Sequence, residues 1–527
     1  MEKFLRSAMK MLILPALLAG LAVLAFPPYF NTWLLFFTFP LLFWLLYNAK
    51  TSFQAYSIGF SYGFSFSVVI LQWVILAFIN NGMNSSSWMK GLIIIIFPLC
   101  MALLLGLIFL VIWRIPVKGL AKIIIFALGW GIFIWFTGRI FPHIPLSVYG
   151  YAWVFNDVVM QLSAYIGIYG LSYVTVLICT SPIALLMPID RKLKLIYLSL
   201  MTLLALGLYA GGYYRLKHAH TAYYDTSVRI LHTHTPSIAK SAQEKTADFA
   251  RLISSSTQAS ANKLDMIIWP EGAVDNIYLL NHKLIGKTIT AISKIVPKGG
   301  AVLVNIDTGL AKQSWKPQES INENDISLLQ NSLLAIGPNA DVLGIYHKLI
   351  LMPFSEYNPM GWLFKSPKLL DVLKSHDLTT VVDYTPGAER PALKVGKHPS
   401  FGTLICYEAM FSGEVIQKGQ RPDWLLVISS DYWLRDTIGV DQHFLTSKVR
   451  AVEEGLPLLR SANYGYSAVI DPYGRTLQQM NPGTVGVIDT KLPKPILPTV
   501  YALYGNWILL GLWVVSIAVV WLLRVKD

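Results

Sequence analysis

The stretch Thr403-Leu404-Ile405-Cys406-Tyr407-Glu408 has the shape of a β-strand that ends on reactive side chains. Its first half is an apolar, β-prone run, and it breaks off on a thiol, an aromatic ring and a carboxylate. Folds of the α/β class present reactive groups at such strand ends. Two earlier stretches have the same shape: Ile267-Ile268-Trp269-Pro270-Glu271-Gly272 ends on a carboxylate, and Tyr346-His347-Lys348-Leu349 on an ammonium. Singly each is a weak signal. A Cys behind an apolar strand is usually a small core residue, a Glu after Trp269-Pro270 suits a helix cap, and Lys348 suits a solvated hairpin. A carboxylate, an ammonium and a thiol at three strand ends in this order are far more specific.

The chain around these stretches keeps the same alternation. Further β-rich runs lie at Val228 to Leu231, Ala301 to Ile306, Ser332 to Ile336, Leu343 to Tyr346, Trp424 to Ser429, Leu458 to Ser461 and Ser467 to Asp471, with helical segments between them. Gly337-Pro338-Asn339-Ala340-Asp341 is a turn joining two of the strands. Residues 218–500 therefore read as one α/β domain with some antiparallel hairpins.

The flanks read differently. Of the 527 residues, 54% are hydrophobic and only 14% charged, too apolar for a soluble protein. The excess sits in 1–217 and 501–527. With about 20 apolar residues needed per crossing, eight spans are expected, centred on 11–27, 32–48, 55–80, 91–113, 121–138, 160–186, 194–213 and 502–523. The expected organisation is a polytopic seven-helix membrane domain over 1–217, the catalytic domain over 218–500 and a last membrane helix in 501–527. The first span follows Lys3, Arg6 and Lys10 but lacks a clear small-residue cleavage site, so it reads as an anchor and not as a signal peptide.

Charge sets the expected orientation. The flanks hold sixteen Lys and Arg against four Asp and Glu, whereas the middle holds 27 against 26, so the basic surplus belongs to the membrane part. A nucleic-acid partner thereby loses its support. Lys50, Arg114, Lys118, Lys122, Arg191, Lys192, Lys194, Arg524 and Lys526 fall on the side of the N-terminus, and only Lys90 and Arg139 on the other. Both termini are thus expected in the cytoplasm and the α/β domain outside it. The spans hold almost no ionisable residues, which argues against transport. Cys100 and Cys179 fall in apolar spans, which leaves Cys406 alone in its domain and without a disulfide partner. His232 and His234 share a strand face but have no evident third ligand, so neither a metal nor a cofactor is expected.

With the three strand-end motifs in place, residues 225–490 resemble the carbon-nitrogen hydrolase, or nitrilase, superfamily. That resemblance implies a four-layer α-β-β-α sandwich and a Glu271, Lys348, Cys406 triad. With seven helices before the domain and one after, the chain resembles the apolipoprotein N-acyltransferases of bacterial lipoprotein maturation over nearly its full length. Matching stretches include Pro353 to Pro359, Arg450 to Glu453, Pro457 to Arg460 and Asp471 to Arg475. The chemistry agrees. A free thiol is mostly protonated at neutral pH, so Cys406 needs a base, Glu271, and a cation, Lys348, which also suits the oxyanion of a tetrahedral intermediate.

The resemblance further implies a ping-pong reaction. Cys406 would take an acyl chain from a phospholipid, phosphatidylethanolamine above all, and pass it to the α-amine of a diacylglyceryl-cysteine at a lipoprotein N-terminus. The implied setting is the bacterial inner membrane, with the catalytic domain periplasmic. Glu356 and Glu408 fall where the family carries extra acidic residues near the nucleophile, and Tyr407 lies between Cys406 and Glu408. The apolar segment 354–371, with Met360, Trp362, Leu363 and Phe364 among few acids, is expected to be a membrane-facing lid. Ser430 stands where the family commonly has Asn, and no Trp occurs between 225 and 268, which leaves acyl and acceptor specificity open. Two other readings also stay open: a membrane-tethered amidase or lipid hydrolase, and a non-catalytic lipoprotein-binding scaffold.

Overall fold

A computed structural model describes residues 8–74, 76, 87–140, 143, 145, 148–235, 241–261, 263–274, 282–311, 326–353, 355–357 and 384–524. The lid residues Met360, Trp362, Leu363 and Phe364 lie outside these. Helices occupy each of the eight apolar spans: α1 (Leu14–Val23), α2 (Leu35–Tyr47), α3 (Ser52–Ile70), α4 (Ser87–Arg114), α5 (Gly119–Arg139), α7 (Ser163–Thr180), α8 (Arg191–Lys217) and α13 (Trp507–Arg524), with a short α6 (Asp157–Met160) before α7 and a short α12 (Val500–Tyr504) before α13. Among the described residues, the helical stretches 95–114, 119–139, 163–185, 191–217 and 507–524 are long and apolar enough to cross a membrane, and the apolar helices at 9–23 and 32–47 are shorter.

These helices start and stop for local reasons. Asp190 caps α8 by accepting from the backbone N–H groups of Lys192 and Leu193, and Thr51 does the same for α3 from Gln54. Their packing is aromatic, with Trp130 edge-on to Phe39, Tyr62 and Tyr149. In contrast, α8 leaves Leu195, Ile196, Leu200, Leu203 and Leu206 exposed, and α13 leaves Val514, Val515, Ile517 and Trp521 exposed. Apolar surface on that scale needs an apolar solvent, which a bilayer supplies.

The remaining described residues form two six-stranded sheets. One has the order β12-β1-β2-β3-β4-β5, from β1 (Tyr223–His232), β2 (Met266–Ile268), β3 (Ala301–Ala311), β4 (Ile326–Ile336), β5 (Val342–His347) and β12 (Gly486–Pro493). The other has the order β11-β10-β9-β8-β7-β6, from β6 (Ala392–Leu393), β7 (Phe401–Ile405), β8 (Trp424–Ser430), β9 (Leu458–Asn463), β10 (Ser467–Ile470) and β11 (Thr476–Met480). Inner faces such as Val228, Ile268, Leu303, Phe401, Leu426 and Leu459 bury one core between the sheets. The outer face of the first sheet packs on α9 (Ala242–Ser256) and α10 (His282–Ser293), and that of the second on α11 (Gly439–Glu454). This is the α-β-β-α layering that the resemblance implies. The strand pairs β1/β2, β2/β3, β7/β8 and β8/β9 are parallel, so the ends after β2 and β7 project in register with their neighbours.

Those ends meet the membrane helices. Arg139, closing α5, donates to the Ser412 carbonyl oxygen at 2.7 Å and pairs with Glu414 at 3.1 Å. Tyr407 donates to the His143 carbonyl oxygen at 2.9 Å, Gln161 to that of Tyr473 at 2.9 Å, and Trp73 lies against Trp433. Helix α7 is broken at Gly167, and the freed N–H of Ile168 donates to Glu453 of α11 at 2.7 Å.

Candidate active site

Cys406 follows the last residue of β7 and takes a positive φ of 50°. A side chain rarely adopts that left-handed backbone, and such outliers cluster at functional sites. Glu271 follows β2 after Trp269-Pro270, and Lys348 follows β5. The structure therefore brings the three expected residues to one end of the sandwich, two from one sheet and one from the other, and all three are nearly buried.

Lys348 Nζ contacts the Glu356 carboxylate at 2.8 Å and stands 4.0 Å from Glu271 Oε1. Asn331 of β4 ties the two acids together: its Nδ2 donates to Glu271 Oε1 at 2.9 Å and to Glu356 Oε1 at 3.0 Å. Asn331 is itself held by Asn305 Nδ2 at 2.7 Å, and Asn305 Oδ1 accepts from the N–H of Gly272. The Ser430 N–H donates to Glu271 Oε2 at 2.8 Å. Glu356 also accepts from the Met352 N–H at 2.8 Å. Both carboxylates, Glu271 and Glu356, are thus held by more than one donor, which is the preorganisation that charge-developing reactions need.

Burial sets the electrostatics. It raises Glu271 above the usual carboxylate range, with Lys348 opposing and Glu356 adding to the rise. For Lys348 burial would lower the ammonium, but Glu356 and Glu271 outweigh it and the group stays firmly protonated. Burial, followed by the Glu271 charge, pushes the Cys406 thiol well up, with Lys348 pulling the other way. The resting pair is therefore a thiol beside a carboxylate with raised proton affinity, so proton transfer from Cys406 to Glu271 can accompany attack on a substrate carbonyl.

Glu408 has a different placement. Its Oε1 accepts from Tyr346 OH at 2.6 Å, from the Leu349 and Ile350 N–H groups at 2.9 and 3.1 Å and from Arg390 at 2.9 Å. Its Oε2 accepts from the Ile405 N–H at 2.7 Å. The carboxylate thus ties the Cys406 turn to the loop that carries Lys348. Tyr407 points to the membrane helices through its bond to His143.

Motif reading missed Asn305, Asn331 and Arg390, which belong to none of the stretches that carry it. It also missed a buried chain behind the nucleophile, in which Arg460, Asp431 and His443 are linked at 2.8 and 2.9 Å. Asp431, His443 and Cys406 bring donor atoms within 4.8 Å of one another, a spacing that a metal would also use. The Arg460 guanidinium sits on the other oxygen of Asp431 at 2.8 Å.

Comparison with known proteins agrees with this architecture. The family model for carbon-nitrogen hydrolases matches residues 234–495, and that for the apolipoprotein N-acyltransferase N-terminal domain matches 18–181. An apolipoprotein N-acyltransferase of Rhodopseudomonas palustris is 32% identical over 512 residues, covering 93% of this chain and 91% of the relative. One of Bradyrhizobium diazoefficiens is 30% identical over 94% of this chain and 91% of the relative. A nitrilase-superfamily structure from Saccharomyces cerevisiae is 15% identical, with a TM-score of 0.35 over 51% of this chain and 89% of its own. With catalytic and membrane-helix regions both matched and the first of these relatives aligned nearly end to end, the chain belongs to the apolipoprotein N-acyltransferase family.

Proposed function

We propose that the chain moves an acyl chain from a phospholipid, through a thioester on Cys406, to the α-amine of the diacylglyceryl-cysteine that begins an apolipoprotein. The observation that carries this is the Glu271, Lys348 and Cys406 cluster facing the membrane helices through Tyr407 and Arg139. Cys406 Sγ attacks the ester carbonyl of the donor while Glu271 takes the thiol proton. The tetrahedral oxyanion is met by Lys348, whose ammonium has three hydrogens and only Glu356 within bonding distance among the described residues. Collapse releases the lysophospholipid alkoxide, which receives the proton from Glu271. In the second half-reaction the acceptor amine attacks the thioester, Glu271 takes the amine proton, and the thiolate leaves and is reprotonated.

Phosphatidylethanolamine is the proposed donor. The proposed topology has both termini cytoplasmic, residues 1–217 and 501–527 in the bacterial inner membrane, and residues 218–500 periplasmic. Substrates confined to a bilayer account for a nitrilase-type domain held by apolar helices. The test is intact-mass analysis after incubation with phosphatidylethanolamine, for wild type and Cys406→Ala, followed by a diacylated lipopeptide. A hydroxylamine-sensitive adduct on wild type only, discharged onto the peptide, is the expected result. An adduct that decays as fast without peptide makes the chain a lipid hydrolase, and no adduct with any phospholipid sinks the thioester reading.

A further inference from the structure

In the proposed second half-reaction the protons do not balance on Glu271 alone. An α-amine, with an ordinary pKa of about 7.7 to 8.0, is mostly an ammonium at neutral pH, and a protonated nitrogen has no lone pair for attack. The proton that Glu271 takes from the attacking amine goes back to the leaving thiolate. Acylating an ammonium on a thioester yields an amide, a thiol and one further proton, and that proton calls for a second base beside the nucleophile.

One carboxylate at this end of the sandwich has no part in the triad. Asp307 lies on β3, two residues beyond Asn305 and so on the same face of the strand. It is paired directly across the sheet with Asn331 of β4, the residue that donates to both Glu271 and Glu356. Directly opposed residues in an antiparallel pair hold their β-carbons about 4.5 to 5.5 Å apart. Tyr384 closes the same corner: its backbone N–H donates to the Glu356 carbonyl oxygen at 2.8 Å and its hydroxyl to Asp307 Oδ2 at 3.0 Å. Asp307 Oδ1 accepts no hydrogen bond among the described residues, and the side chain is partly exposed, which leaves it open to a substrate group and to water.

The charges around it favour a cation. Glu271, Glu356 and Asp307 stand against the single ammonium of Lys348, a formal surplus of two negative charges. Burial pushes the Asp307 carboxyl up to about 6, with the Tyr384 hydroxyl opposing and Glu271 and Glu356 adding to the rise. Its proton affinity is thus nearer to that of an α-amine than an ordinary carboxylate's, and proton transfer between the two is less uphill.

We infer that Asp307 forms the acceptor subsite: it holds the α-ammonium of the incoming lipoprotein, takes its first proton and leaves a neutral amine facing the thioester. This rests on the thioester of the proposed reaction. The amine nitrogen then bonds to the thioester carbon and gives its next proton to Glu271. The C–S bond breaks, the thiolate recovers that proton from Glu271, and Asp307 passes its own to water.

The test uses the purified full chain in detergent, as wild type and Asp307→Asn. Each is loaded from phosphatidylethanolamine and then given a diacylated lipopeptide, and both steps are followed by intact mass. In Asp307→Asn, discharge onto the peptide at pH 7 is expected to slow by roughly 10- to 100-fold, far more than loading, in which no amine attacks. At pH about 9, where an α-amine is largely neutral, the gap is expected to narrow by about 5- to 10-fold. Hydroxylamine, already neutral at pH 7, should discharge both proteins at matching rates. Discharge that is unchanged, or equally slowed at both pH values, overturns the inference, and so does loading that falls as far as discharge.

A binding measurement needs no thioester. On a Cys406→Ala background, affinity for the lipopeptide is compared with affinity for its N-acetylated form, which carries no charge on that nitrogen. Asp307→Asn is expected to weaken the free-amine peptide by about 10-fold and to leave the acetylated one as it was. Equal weakening of both, or of neither, overturns the ammonium contact. If wild type forms no thioester, the proposed function fails, while this comparison still decides whether Asp307 holds the amine.

Discussion

Lys348 Nζ lies 2.8 Å from Glu356 but 4.0 Å from Glu271, so the lysine's direct ionic partner is not the base it works beside. Glu356 thereby keeps Lys348 from collapsing onto Glu271. In Glu356→Gln the ammonium is expected to move onto the remaining carboxylate, forming a tight pair that weakens the base and turns the donor away from the oxyanion. Thioester formation should fall by roughly 10- to 100-fold, short of the full loss from Lys348→Ala. Single-turnover intact-mass kinetics measure it. A rate unchanged from wild type would show that Glu356 has no part in placing the lysine.

The acylation rate should also depend on pH with a definite sign. Burial raises Glu271, and the base acts only when ionised. The first-order rate of adduct formation is therefore expected to be low at acid pH, to rise through a midpoint above the ordinary value of about 4.3 for Glu, and then to level off. Glu271→Gln should lose this rise along with a factor of about 100 to 10,000 in rate. A wild-type profile already flat by pH 4.5 would contradict a raised base.

Much of this site is legible in the chain because apolar, β-prone runs end just before Glu271, Lys348 and Cys406, and the three together point to strand ends where each alone is a weak signal. The support network is not. Asn305 and Asn331 gain their roles only when β3 pairs antiparallel with β4, a register no local pattern announces. Strands β11 and β12 are mixed in polarity, with Gln478, Gln479, Asp489 and Lys491, and β12 is made a strand by pairing with β1 more than two hundred residues away. Lys122 reads as a cytoplasmic-loop charge, yet the structure buries it on the carbonyl oxygens of Ile112, Trp113 and Ile115, where it satisfies the end of α4.

Glu408 should be a stability determinant first. Five donors converge on it, and its partner Arg390 is buried. Glu408→Ala is expected to cost about 3 to 5 kcal/mol, because it leaves a buried guanidinium unpaired. Burial alone would raise this carboxyl, but Arg390 and the hydrogen bonds outweigh it and hold it below the usual range. A depressed carboxyl contributes stability in full above its unfolded value, about 4.3, and loses that contribution as pH falls below it. Thermal melts of wild type should therefore decline in acid more steeply than those of Glu408→Gln. Parallel declines would remove Glu408 from the account.

The break in α7 depends on a single glycine. Gly167 has φ 66° and ψ 171°, a conformation essentially reserved for glycine. A β-carbon there would also overlap the Tyr501 ring, and Tyr501 shares a hydrogen bond with Ser412 at 2.8 Å. The break frees the Ile168 N–H for Glu453, so one glycine couples a membrane helix to the catalytic domain. Gly167→Ala should lose about 1 to 3 kcal/mol of stability to the backbone strain it introduces and another 1 to 3 kcal/mol or so to the repacking of an overfilled site. Glycines 207 and 211, by contrast, have open space around the position of a β-carbon and lie inside α8. Alanine at either should be neutral or stabilising by up to about 1 kcal/mol. Thermal unfolding of the three variants in one detergent compares them directly, and a Gly167→Ala protein as stable as the α8 variants would mean that α7 does not need its break.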